Sequence, residues 1–245
     1  MKLLAIETAT EACSVALSID GEVRERFEIA PRRHTELVLP WADELLAEAG
    51  IARTQLDAIA VGRGPGAFTG VRLAVALAQG MALALDLPVL PVSTLAVLAW
   101  PARMQDDAQG RASAAEGRMP GAAPDVLAAI DARMGEVYLG WFRADDAGGL
   151  HAIGPEWMAR PEAVDLDAQS LVGVGTGFAA AEGALAQALL GRLVACDPLA
   201  LPHAADLARL GEMAFARGEA VAPERVEPAY LRDKVALTLA EQKKG

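Results

Sequence analysis

Apolar and polar positions along the chain alternate with a strand period at first and then switch to helical spacing. "KLLAIET" and "ACSVALSI" are dense in apolar and β-branched residues and are separated by a polar break over residues 8–11, which predicts two strands of a meander. Asp20-Gly21 is a hairpin signal, and "EVRERFEIA" alternates as a third, more exposed strand. Leu37, Val38, Trp41, Leu45, Leu46 and Ala49 then recur at helical spacing over about residues 34–49, and Gly50 closes that helix. Pro40 removes one helical hydrogen bond, which predicts a kink or a late start. "LDAIAVG" reads as a buried strand leading into Gly64-Pro65-Gly66, and an apolar helix from about residue 71 runs to Asp86. "PVLPVS" is another strand, and a further helix begins near Thr94, so the order is β-β-β-α-β-α-β-α.

Periodicity stops over residues 101–124, an Ala-, Gly- and Pro-rich stretch that reads as a mobile linker or long loop. The pattern then restarts more weakly. "DVLAAIDA", "GEVYLGWFRA" and "LHAIGPEWMA" predict three strands, "SLVGVGTGF" a buried strand with a glycine-rich end, and "ALAQALL" a short helix. "GRLVACDP" is a strand and "HAADLARLGEMAFARG" an amphipathic helix. The expected organisation is an N-terminal subdomain over 1–100, the linker, a C-terminal subdomain over 125–222 and a charged tail over 223–245, packing through Tyr230 and Leu231.

Composition narrows the function classes. The 245 residues are 53% hydrophobic but only 4% aromatic, so Ala, Val and Leu must fill the core, and small side chains let helices come close. A net charge of −11 argues against a nucleic-acid footprint carried by this chain alone. The N-terminal apolar run is too short for a signal peptide and is interrupted by Glu7; Arg72 and Gln79 break the apolar helix, which is short of a membrane span. These features predict a soluble cytoplasmic protein. Cys13 and Cys196 both sit in apolar strand patterns and read as buried reduced thiols.

The candidate chemistry lies at strand ends. Gly64, Gly66 and Gly70 permit close approach at a helix start, whose free N–H groups suit an anion. "GRGPGAFTG" lacks the Gly-Lys-Ser/Thr ending of a P-loop, so a tight packing turn and a residual phosphate site with Glu7, Thr8 and Thr10 both stay open. A carboxylate at such a site would need a metal to tolerate an anion. The three histidines, His34, His151 and His203, are too scattered to pair locally.

The duplicated βββαβαβα plan is that of the actin-like ATPase (ASKHA) superfamily, whose strand-end turns hold nucleotide phosphates. The corresponding turns here are Glu7-Thr8-Ala9-Thr10 and Asp131-Ala132-Arg133-Met134-Gly135. Five segments, "LLAIETATEACSVAL", "RRHTELVLPWADELL", "VGRGPGAFTGVRLAVALAQGMALALDLPVLPVSTL", "AIDARMGEVYLGWF" and "PAYLRDKVA", together closely resemble the bacterial TsaB family, also called YeaZ. The resemblance implies a two-subdomain α/β fold and a part in making threonylcarbamoyladenosine beside the anticodon of certain tRNAs. It implies a required, non-catalytic subunit that partners a metal-bearing paralogue, TsaD, with a small P-loop ATPase (TsaE-like) joining the complex. tRNA would be met only through that complex.

The paralogue carries two histidines four apart after the equivalent of "LPVLPVSTLAVLA", a spacing that puts both on one helix face. Here Thr94 and Leu98 take those positions, so no metal site is expected. The surface should then carry the function. Leu37, Val38, Trp41 and Leu45 on the first helix, with Arg72, Val75, Ala76, Gln79, Ala82 and Leu83 on the second, are the candidate partner-binding residues, with Trp41 and Arg72 as anchors. The same face would make a homodimer when the partner is missing. No cofactor is expected for the chain alone, although ATP or ADP at the partner interface stays open. The alternatives are an independent nucleotide-using ATPase or kinase, supported by the two turns and "GVGTGF", and a glycoprotein-directed peptidase, which lacks a metal pair or nucleophile–base arrangement.

Overall fold

The structure, a computed structural model, describes residues 1–104, 124–145 and 148–232. β1 (Lys2–Glu7), β2 (Ala12–Ile19) and β3 (Glu22–Ile29) form the antiparallel meander, with Glu7 opposite Ser14. β4 (Ala58–Gly62) and β5 (Val89–Val92) add in parallel beyond β1, giving the order β3-β2-β1-β4-β5. Parallel neighbours need crossovers, supplied here by α1 (His34–Ala49) and α2 (Phe68–Leu85) on one face of the sheet. The pleat sorts β1 accordingly: Leu4 and Ile6 pack beneath those helices, while Leu3 and Ala5 face the opposite side.

Two helix expectations change. α1 starts at His34 and runs unbroken through Pro40 for 16 residues. Pro40 and Glu36, whose carbonyl loses its bond, are both exposed, so water can serve the orphaned oxygen. α2 begins at Phe68, earlier than the apolar run implied, and its 18 residues are long and apolar enough to cross a membrane. In this fold one side of it packs on the sheet, with Ala74, Ala78 and Ala82 buried, while the other side faces outward.

The second sheet comprises β6 (Asp125–Arg133), β7 (Glu136–Ala144), β8 (Leu150–Ala152), β9 (Trp157–Ala159), β10 (Leu171–Val174) and β11 (Leu193–Asp197), in the order β11-β10-β6-β7-β8. The single strand expected from "LHAIGPEWMA" is two short ones, β8 and β9, both paired with β7. Gly154-Pro155 breaks it, since proline cannot donate to the ladder. Between β10 and β11 lies α4 (Ala184–Ala188). The duplicated actin-like plan is therefore present, fuller in the first half than in the second.

The last helix of each half packs on the other half's sheet. α3 (Thr94–Ala99) sets Leu95 and Leu98 against Val126, Ala128 and Ile130 of β6. α5 (Ala204–Ala216) sets Ala204, Leu207 and Ala208 against Leu3, Ala5, Ala16 and Ala60. Residues 204–216 thus complete the N-terminal core, although the sequence boundaries put them in the C-terminal subdomain. β2 and β3 together cap α5: Ser14 Oγ on β2 accepts from Ala204 N at 2.9 Å and Glu25 Oε1 on β3 from Ala205 N at 3.0 Å. Cys13 is buried, but Cys196 is exposed on β11, which forms the sheet edge and leaves an apolar strand partly open.

Of the expected linker, 105–123 lies outside the described residues, as does 233–245 of the tail. Residues 101–104 form a 3-10 turn. Residues 221–232 make a strap: Val221 pairs with Val89, and Ala229 N donates to Arg63 O at 2.8 Å. Arg232 then donates to Ala132 O at 3.1 Å and pairs with Glu136 at 2.8 Å.

Candidate functional site

β1 and β4 end side by side, and their ends deliver Glu7-Thr8-Ala9-Thr10 and Arg63-Gly64-Pro65-Gly66 to one place. The two turns lie in direct contact. Thr8 Oγ1 donates to Gly70 O at 2.7 Å, and Ala67 N, at the start of α2, donates to Ala9 O at 2.7 Å. A Cβ on Gly66 would stand 2.3 Å from Ala9 O, and one on Gly70 would stand 2.0 Å from Thr8 O. These glycines serve a close backbone approach within the chain. Thr10 Oγ1 accepts from Ala12 N at 3.3 Å, so its hydroxyl also serves its own turn.

Glu7 fills the remaining space. Its carboxylate lies over Gly62, where a Cβ would stand 1.9 Å from Oε2, and it accepts from Ala9 N at 2.7 Å and Thr94 Oγ1 at 3.0 Å. Complete burial pushes its pKa up to about 7, against the lowering effect of those bonds and of Thr8 N–H. A phosphate does not fit between turns already hydrogen-bonded to each other, beside a buried carboxylate. Gly64, at φ +89°, donates its N–H to Thr94 Oγ1 at 3.2 Å, and Thr94 N donates back to Gly64 O at 2.9 Å.

Thr94 and Leu98, at the positions where the resemblance implied metal ligands in the paralogue, have other duties. Thr94 is fully buried and joins Glu7 to the glycine turn. Leu98 packs on the "GVGTGF" turn, its Cδ2 only 2.4 Å from where a Cβ on Gly175 would lie. A metal ion does not fit these donors, and among the described residues no three His, Cys, Asp or Glu side chains converge. The histidines have separate partners: His34 Nε2 lies 3.2 Å from Ala12 O, His151 Nε2 2.6 Å from Asp145, and His203 Nδ1 3.0 Å from Glu25.

A second cluster joins the halves nearby. Ser93 Oγ caps α3 by accepting from Leu95 N and Ala96 N, and it donates to Glu156 from the break between β8 and β9. Arg63 approaches the same carboxylate at 3.8 Å. Burial pushes the pKa of Glu156 up, partly offset by Ser93 and Arg63. The Ser93 cap is legible as Ser-Thr-Leu at a helix start; its partner 63 residues away is not.

The candidate partner-binding residues divide by orientation. Val38, Leu45, Val75 and Ala82 are buried in the chain's own core, and Leu37 and Trp41 are half-buried against it. They face inward because α1 and α2 must first cover the sheet with their richest apolar stripes. Gln79 is half-buried, and its Nε2 donates to Pro223 O at 3.0 Å and Val226 O at 3.2 Å, holding the strap. Arg72, Ala76 and Leu83 face outward, and Leu83 is 63% exposed. Phe68 and Leu39, which periodicity did not single out, are outward-facing too. Gly80 is exposed in mid-α2 with nothing within 4 Å of its Cβ position. Glycine there costs about 1 kcal/mol against alanine, and nothing inside the described chain requires it.

Comparison with known proteins identifies the family. The family profile described as TsaD, tRNA N6-adenosine threonylcarbamoyltransferase, matches residues 27–239. The chain is 42% identical to the Escherichia coli protein named tRNA threonylcarbamoyladenosine biosynthesis protein TsaB, over 96% of each chain. It is 37% identical to the Haemophilus influenzae protein of that name, covering 96% of this chain and 95% of the relative. YeaZ from Pseudomonas aeruginosa superposes with a TM-score of 0.80 at 44% identity, covering 94% of this chain and 99% of that one. With its duplicated sheets and its glycine turn closed on β1, the chain belongs to the TsaB (YeaZ) family of tRNA threonylcarbamoyladenosine biosynthesis proteins.

Proposed function

We propose that the chain is a non-catalytic scaffold subunit of the machinery that transfers threonylcarbamoyl to tRNA adenosine. The observation that carries this reading is the use of Thr94 and Leu98 for internal bonding and packing at the positions where the paralogue places metal ligands. The chain binds the TsaD-like paralogue through the outward stripe of α2, with Phe68, Arg72, Ala76, Gly80 and Leu83, and through the neighbouring exposed side of α1 around Leu39. Docking stabilises the paralogue's active arrangement. Gly80 fits this role because a residue without a side chain lets a second helix approach closely.

The small TsaE-like ATPase joins the same assembly in the cytoplasm, and tRNA reaches the chain only through that assembly. ATP or ADP, where it takes part, sits at the junction with the partner rather than between this chain's own turns. Without the paralogue, the same face pairs two copies of the chain.

The test is threonylcarbamoyl transfer to tRNA by the purified chain, by the paralogue with its ATPase, and by all three together. Activity only in the complete mixture, lost with Leu83→Glu, is the expected result. Transfer by the chain alone would overturn the scaffold reading.

A further inference from the structure

Arg72 lies at the centre of a small built arrangement on the outer side of α2. Its Nε donates to Tyr230 Oη at 2.7 Å. Its guanidinium carbon lies 3.9 Å from the centroid of the Phe68 ring and 5.6 Å from that of Tyr230, and the two rings are 6.1 Å apart. Tyr230 reaches this place on the strap, between Ala229, bonded to Arg63 O, and Arg232, bonded to the β6–β7 turn. A guanidinium stacked on a ring and held at Nε has little rotamer freedom left, so its fork stands fixed toward solvent.

Among the described residues that fork is unused. Arg24, Arg26, Arg33 and Arg53 of the same half each meet a carboxylate. Among the described residues Arg72 forms no ion pair, and its terminal nitrogens donate to nothing. A preorganised cation left unpaired in a chain of net charge −11 is matched to an acid from outside. Two parallel N–H groups suit the two oxygens of a carboxylate.

The surroundings favour a carboxylate over a phosphate. Phe68, Ala76 and Leu83 make the face apolar, so a second negative charge would go uncompensated. Arg63 and Arg232 are engaged by Glu156 and Glu136, and Ala67 N at the helix start is bonded to Ala9 O. One fixed guanidinium balances one carboxylate.

We propose that Phe68, Arg72 and Tyr230 form a receptor for a single carboxylate, an Asp or Glu side chain on the helix of the TsaD-like partner that docks on α2. Tyr230 is a positioning residue that acts through Arg72. This rests on the docking reading given above and adds the chemistry by which the partner is recognised.

The experiment is calorimetric titration of the full chain with the purified paralogue, with and without ADP, at low and high salt. Arg72→Ala is expected to weaken binding about 30-fold and Arg72→Lys less, because lysine lacks the fork. Tyr230→Phe keeps the ring but frees Nε, and is expected to weaken binding about 3-fold with an unchanged melting temperature. Arg72→Glu should bind again when one acidic residue on the partner's helix is changed to lysine, a rescue that lost packing would not give. Arg72→Ala within 2-fold of the parent, while Leu83→Glu abolishes binding, overturns the receptor and leaves docking intact. No binding by the parent chain overturns docking and the receptor with it. Parent affinity that requires ADP, with only that dependence lost in Arg72→Ala, assigns the fork to a phosphate and overturns the carboxylate.

Discussion

The two halves end their first strands at equivalent turns that are built in opposite ways. The β1–β2 turn is sealed: Thr8 and Thr10 are buried, their hydroxyls are hydrogen-bonded inside the chain, and Glu7 closes the space behind them. The β6–β7 turn is open, with Met134 84% exposed and Arg133, Met134 and Gly135 all at positive φ. Arg232 holds it from outside through the carbonyl of Ala132. A phosphate cradle needs both turns free to donate N–H groups to one ligand. Here the first turn gives its Ala9 N–H to Glu7 and the second gives its Arg133 N–H to Asp131, while the Ala132 carbonyl takes the strap, so the two equivalent turns are fastened internally in two different ways.

Substitution at the sealed turn should have the largest effect. Gly70→Ala places a Cβ 2.0 Å from Thr8 O, which requires two backbones to separate and is expected to cost about 3 kcal/mol or more in chemical denaturation. Gly135→Ala in the open turn meets nothing within 4 Å, and only its φ of +74° opposes it, so about 1 kcal/mol is expected. Equal costs would erase the contrast.

Next in size is the pH response of Glu7. Its pKa rises from 4.5 to about 7 on folding. Between those values the unfolded chain has released the proton that the folded chain keeps. The contribution is fully present below pH 4.5 and is lost as pH rises through 7. Relative to Glu7→Gln, the parent should lose about 3 kcal/mol between pH 4.5 and 8. Parallel stability–pH curves for the two proteins would show that Glu7 is not sealed.

Arg232→Ala releases the open turn. It should cost about 1–2 kcal/mol and speed amide exchange at residues 131–136 more than at residues 8–12. Uniform acceleration across both would mean that the strap does not act locally. The smallest effect belongs to Gly80→Ala, expected to stabilise the free chain by about 1 kcal/mol while weakening its binding to the paralogue.

The sequence made the first half legible because its signals are local. The alternation in residues 2–29, the stripe ending at Gly50 and the Gly-Pro-Gly turn each describe neighbours along the chain. Periodicity also marked Val38, Leu45, Val75 and Ala82 as apolar, but an apolar stripe does not say whether it faces a sheet or a partner. Burial assigned them to the sheet and left Arg72, Ala76 and Leu83 outside. α5 was visible as an amphipathic helix, yet nothing in its pattern tells which sheet receives it. Tyr230 and Arg72 are 158 residues apart, and no spacing rule links them. The closeness of the β1 turn to Gly66 and Gly70 was legible only as an alternative, since the same glycines suit an anion and a neighbouring carbonyl.

The exchange of α3 and α5 has a consequence for how the chain is made. The first sheet is synthesised by residue 92, but the helix that covers its second face spans residues 204–216. At about 5–20 residues per second, the ribosome leaves Leu3, Ala5, Ala16 and Ala60 without that cover for roughly six seconds or more. The nascent N-terminal half therefore waits with one apolar face uncovered, and a chain truncated before residue 204 should aggregate rather than form a smaller folded domain.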